Sequence, residues 1–249
     1  MSKMFAYLNS IKSLDLTALK TGEVKDMSFM FQEIGSPSDP IELNISSFDT
    51  SKVVYMNSMF LKSNIKRLDL TNFKADNVEN IKNMFNLANI KTIKAPNWNL
   101  TKADSLAYIF NGSTVENLDV SGWNAGNVKD MSNAFAFLES LTSINLAYFN
   151  TSGVENMMNT FSGLKTLSVL DLSYFDTRNV NTVENLFSYS TTSIMVYAAS
   201  FNLTNCTNFQ YMFGGCTKNF IIAMTEECRD TILRHPESGI NNVTVKIPE

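Results

Sequence analysis

Residues able to act as nucleophiles, bases or metal ligands are few in this chain of 249 residues. The single histidine, His235, stands beside Pro236, and the three cysteines, Cys206, Cys216 and Cys228, fall in the last fifth of the sequence. Nucleophilic catalysis asks for a thiol or hydroxyl within reach of a base. His235 with Cys216 or Cys228 is the one such pairing on offer, and an ordinary structural role is the better account of all three. No Gly-x-Ser-x-Gly, phosphate-binding Gly-rich loop or Cys-x-x-Cys occurs. Asn117-x-Asp119-x-Ser121-Gly122 has the spacing of a calcium loop, but its twelfth position is Val128, where a bidentate Glu is required. These residues predict a protein that is not an enzyme and carries no metal or cofactor.

Recognition chemistry is better represented. Asp15, Asn44, Asp69, Lys94, Asp119, Asn145, Asp171 and Tyr197 recur at the same point of a repeated line, between two apolar residues. On stacked strands such residues project away from the core and form one exposed column. Arg67, Tyr148 and Tyr174 fall beside it, and aromatic and Arg side chains are the usual anchors of interfaces. Arg67, Asp69, Lys94, Asp119, Tyr148, Asp171, Tyr174 and Tyr197 are therefore the candidate ligand-binding residues. The competing reading makes the Asp and Asn members turn formers that bond neighbouring amides, which leaves the variable positions, Lys94 and Tyr197, as the stronger candidates.

That column exists because the sequence repeats. Leu19, Phe48, Phe73, Trp98, Trp123, Phe149, Phe175 and Phe201 mark one column, and Phe31, Phe60, Phe85, Phe110, Phe135, Phe161, Phe187 and Phe213 mark a second, twelve residues later. The spacing is 25 or 26 residues except for one step of 29, where Gly35, Pro37 and Pro40 indicate an inserted surface loop. Each repeat has two halves. Ile65-Lys66-Arg67-Leu68-Asp69-Leu70 alternates as a short strand does. Val53, Met56, Met59 and Phe60 form the i, i+3, i+6, i+7 stripe of a short helix, and Asp76 with Glu79 and Ser152 with Glu155 have capping-box spacing.

Neither half buries its apolar side alone, so the units must stack. The expected architecture is an α/β, leucine-rich-repeat-like, right-handed curved solenoid with one short parallel strand and one short helix per repeat. Strands about 4.8 Å apart against helices about 8–10 Å apart would bend the stack, strands inside. Residues 1–213 form the repeat solenoid and 214–249 a C-terminal cap, with a helix starting at Thr225 and a final edge strand through Val243, Val245 and Ile247. Trp98 and Trp123 occupy the slot of Phe in other repeats, so they belong to a buried spine and not to a sugar platform.

Composition bounds the partners. With 20 basic against 24 acidic residues, net charge −4, the chain has no electrostatic footprint for nucleic acid. No apolar run approaches the length of a membrane span, and Met1-Ser2-Lys3 does not open a secretory signal.

The lines LDLSYFDTRNVNTVENLF, LNISSFDTSKVVYMNSMF and LDVSGWNAGNVKDMSNAF, with MFGGC at Met212 to Cys216, resemble the BspA-like bacterial surface-protein repeat, a leucine-rich-repeat relative of about 26 residues. The resemblance covers Met1 to about Lys218. It implies a recognition or adhesion solenoid on a cell surface or outside the cell, binding a protein or glycan of a host or neighbouring cell. A structural or assembly part of a phage virion, contacting other subunits of a particle, is the alternative it leaves open.

Overall fold

The structure, a computed structural model, describes residues 1–191 and 193–248. The chain winds into a β-solenoid of about nine turns whose strands are short and, in runs of two, four and four, pair in parallel with their neighbours in sequence. They are β1 (Ser13–Asp15), β2 (Glu42–Asn44), β3 (Leu68–Asp69), β4 (Thr92–Lys94), β5 (Asn117–Asp119), β6 (Ser143–Asn145), β7 (Val169–Asp171), β8 (Ile194–Tyr197), β9 (Phe220–Ala223) and β10 (Thr244–Lys246). Alternation decides their faces. Leu68, Ile93, Leu118 and Ile144 are in register on one side, while Asp69, Lys94, Asp119 and Asn145 are in register on the other. Like residues therefore stack on like, and β7 to β10 repeat the pattern.

The expected helix in each repeat does not form. Among the described residues the α-helix of the chain is α1 (Glu226–Leu233), in the cap. The Val-x-x-Met-x-x-Met-Phe half is instead a ladder of successive turns. In the fifth coil Ile109 and Ser113 N–H donate to the carbonyls three residues back, Leu106 at 3.1 Å and Phe110 at 3.0 Å. Alternating with such turns, Tyr108, Phe110 and Gly112 N–H donate to Ser132, Ala134 and Ala136 of the next coil at 2.9–3.0 Å. Tyr108 and Gly112 are left-handed, with φ of 59° and 64°, and left-handed pairs four residues apart recur in coil after coil, as at Asn83 and Leu87 or Asn185 and Tyr189. Two left-handed residues per coil break an α-helix, and they turn half of the backbone donors toward the neighbouring coil. Asp76 and Ser152 accordingly do not cap helices: Val78 N–H donates to Ala75 and Val154 N–H to Thr151, closing turns.

The reason given for curvature goes with the helix. Backbone hydrogen bonds join neighbouring coils on the turn half as on the strand half, so both are held near the strand spacing of about 4.8 Å. The aromatic columns agree: Phe60, Phe85 and Phe110 stack at 5.5 and 5.0 Å, and Trp98, Trp123 and Phe149 at 5.2 and 5.7 Å. Both tryptophans are fully buried, as the spine requires. Near the strands, threonine hydroxyls tie coils together: Thr151 Oγ1 accepts from Asp176 N–H at 2.8 Å and donates to Asp176 O at 3.0 Å.

The C-terminal segment continues the strand ladder and closes it. Tyr211 and Phe213 N–H donate to Glu237 and Ser238 at 2.9 and 2.8 Å, contacts that another coil supplies elsewhere. Thr225 caps α1 by accepting from Cys228 N–H, and Val243 is buried beside β10.

Candidate functional site

Seven of the eight expected ligand-facing residues are exposed and Asp119 is half-buried, which places the whole column on the outer side of the strands. The carboxylates there are largely committed to their own turns. Asp69 accepts from Thr71 N–H at 3.1 Å and from the Thr71 hydroxyl, Asp119 from Ser121 N–H at 3.1 Å, and Asp171 from Ser173 N–H and Oγ at 2.9 and 2.5 Å. The Thr71 bonds, side chain then backbone, hold Asp69 below the ordinary carboxylate range, with Lys94 adding to the effect. Asp15 is lowered in the same way by the Thr17 amide and hydroxyl.

The cations of this face are not so committed. A groove of about 750 Å³ lies across β1 to β4, with Leu14, Leu43 and Leu68 on its floor and Arg67, Asp69 and Lys94 among its walls. Its origin is a missing residue. Ile41 pairs with Ile65, yet the next inward residues are Leu43 and Leu68, so Lys66 and Arg67 together face Glu42. Such a two-against-one bulge interrupts the ladder between β2 and β3 and re-aims the extra side chain. Lys66 takes the Glu42 carboxylate at 3.5 Å. Among the described residues neither Arg67 nor Lys94 has an ion pair within 4 Å. The groove therefore combines a half-apolar floor with two cations that no ion pair within 4 Å engages among the described residues.

The other candidates gather elsewhere. Tyr148 is 73% exposed, and its ring lies 4.8 Å from that of Tyr174, their planes tilted by 49°. The Tyr174 hydroxyl donates to Tyr148, which raises the Tyr174 phenol above the usual tyrosine value. Tyr197 is exposed and in register with Asp171 on β7 and β8. The structure thus brings Arg67, Asp69 and Lys94 together, gathers Tyr148 with Tyr174, and leaves Asp119 outside the groove. Sequence reasoning missed Glu42 and the leucine floor, although the short Ile41-Glu42-Leu43 against Ile65-Lys66-Arg67-Leu68 carried the signal.

Away from this face, His235 Nδ1 lies 3.1 Å from the Glu237 carboxylate and its ring stacks on Phe209 at 4.2 Å. The three thiols are buried, and burial pushes Cys206 and Cys216 up to about 11 and Cys228 to about 12. No helix among the described residues is long and apolar enough to cross a membrane.

A family model described as "Mycoplasma protein of unknown function, DUF285" matches the chain twice, over residues 1–121 and 104–224. This chain belongs to the DUF285 family. The second match begins about four coils after the first, so the DUF285 unit is itself a run of coils, and the two matches together span the stack through β9. No curated protein and no solved structure matches the chain.

Proposed function

We propose that this DUF285 chain is a non-enzymatic recognition solenoid, displayed on a cell or particle surface, that binds a protein or glycan through its strand face. The observation that carries the reading is the groove at the β2–β3 bulge, where Arg67 and Lys94 stand without an ion pair among the described residues over a leucine floor while the neighbouring carboxylates are tied into turns. Binding sites combine an apolar surface with a few placed polar groups. The resemblance to BspA-like surface repeats supports the display and adhesion side of the proposal.

The test is a binding screen of the labelled chain against extracellular proteins, glycans and intact cells, with an Arg67→Ala/Lys94→Ala variant alongside. Saturable binding that the variant loses by about thirtyfold, the scale of an interface anchor worth about 2 kcal/mol, supports the reading. Binding unchanged in the variant removes the groove from it. A chain that binds nothing and copurifies with particles or with itself belongs to an assembly.

A further inference from the structure

The turn half carries a second row that the strand-face reading does not use. At the second left-handed position of the fourth to ninth coils, bulky residues alternate with glycine: Leu87 then Gly112, Phe137 then Gly163, Tyr189 then Gly215. The glycines make room. A Cβ at Gly112 would come within 2.7 Å of the Leu87 side chain, one at Gly163 within 2.5 Å of the Phe137 ring, and one at Gly215 within 3.2 Å of the Tyr189 ring. Each bulky side chain therefore lies over the next coil instead of pointing outward. Phe137 and Tyr189 are nevertheless 42% and 61% exposed, so a ring surface remains open to solvent.

The row is costly, and its charges, Glu33 and Lys62 in the earlier coils and Lys82 and Glu184 near Leu87 and Tyr189, stand away from Phe137. Leucine, phenylalanine and tyrosine avoid the left-handed region, which Gly and Asn tolerate and which this chain fills with Asn at Asn83, Asn133, Asn159 and Asn185. Around Phe137 the strip is also without charge: residues 105–113, 131–138 and 157–164 contain no Lys, Arg, Asp or Glu. Asn86 and Asn111 add a chain of amide bonds, Asn111 Nδ2 to Asn86 Oδ1 at 3.1 Å and Asn86 Nδ2 to Asn83 Oδ1 at 2.9 Å, beside Leu87. The platforms recur every second coil, roughly 10 Å apart at ~4.8 Å per coil.

We infer that this row is a docking surface for an uncharged, β-linked polysaccharide running along the solenoid. The absence of charge in the three coils around Phe137 gives an acidic polymer or nucleic acid no cation to meet there. Flat-lying rings fit the apolar faces of sugar rings, amides fit their hydroxyls, and a step of two coils suits the two-sugar repeat of an extended β-linked chain. The inference uses a different face from the groove and stands apart from it.

The experiment is retention of the full chain on insoluble cellulose and chitin, and retardation in gels containing a soluble neutral β-glucan, with alginate as the acidic control. Phe137→Asn/Tyr189→Asn removes two platforms with a residue that favours the left-handed backbone. Expected are binding to at least one neutral polymer, none to alginate, a loss of tenfold or more in the double variant at unchanged melting temperature, and no loss in Arg67→Ala/Lys94→Ala. If the double variant melts early, Tyr189→Asn alone carries the test. No retention on any neutral polymer, or equal retention of the platform variant, overturns the inference. So does a dimer of the wild type that the double variant abolishes, because the face would then belong to a second copy of the chain.

Discussion

Trp98 and Trp123 share a column, a stack at 5.2 Å and near-complete burial, but not a hydrogen bond. Trp123 Nε1 donates to Ala95 O at 2.5 Å, whereas Trp98 Nε1 is buried without a partner among the described residues. A buried donor left unpaired costs about 1–3 kcal/mol, and a satisfied one contributes about 1 kcal/mol. Trp123→Phe should therefore destabilise the chain by about 2–4 kcal/mol more than Trp98→Phe in urea unfolding. Equal losses would show that the indole bond adds nothing. Acid stability is set at the same scale. Asp15, Asp49, Asp69 and Asp176 all lie below the ordinary carboxylate range, held there first by the amides, hydroxyls or guanidinium of Thr17, Ser51, Thr71 and Arg178. A carboxylate lowered in the folded state contributes stability that is complete above its unfolded pKa of about 3.9 and is lost as pH falls through the folded value. The melting temperature should hold from neutral pH down to about 4 and fall below it, with Asp69→Asn showing a shallower fall. A transition that begins well above pH 5 would place the acid sensitivity in other groups.

At the scale of the element, the strand was legible in the alternation of Leu68, Asp69 and Leu70, and so were its outward column and the buried aromatic spine. The turn half was not. Its apolar stripe, as at Val53, Met56, Met59 and Phe60, fits the period of a helix, but a chain of turns that reverses every four residues puts the same residues inside. The distinguishing signal lay in the polar positions: Asn or Gly at 83, 112, 133, 159, 163, 185 and 215, where a short helix would prefer better formers. In the cap, where Thr225 precedes Glu226 and Glu227 and no left-handed residue intervenes, the expected helix does form. Asn159, with φ of 55°, separates the two accounts. In a left-handed site Asn159→Gly is nearly neutral and Asn159→Val costs about 1–2 kcal/mol. In a helix the order reverses, since Gly is the poorer helix former. Thermal unfolding of the two variants decides between them.

Across the whole molecule, the coil-to-coil hydrogen bonds join residues some 22 to 30 apart, so each coil is held by its neighbours and the ends are the exposed surfaces of the stack. In such one-dimensional arrays stability is close to a sum of coil and interface contributions, and an uncovered end exposes a cross-section of the core. Here the C-terminal end is covered. The carbonyls of Glu237 and Ser238 receive the Tyr211 and Phe213 donors, and Ile232, Ile240 and Val243 bury apolar surface in the same cluster as Met212, Phe213, Phe220 and Met224. Removing residues 225–249 should lower the melting temperature by several degrees and make the chain associate in a concentration-dependent way, because those donors and apolar residues would meet water together. Sedimentation velocity and thermal unfolding of the shortened chain measure both effects. A monomer with the parent's melting temperature would show that the ninth coil is self-sufficient and that α1 and β10 are an appendage. Association that the added 225–249 peptide reverses in trans would show the reverse, that covering the core's end is what this segment does.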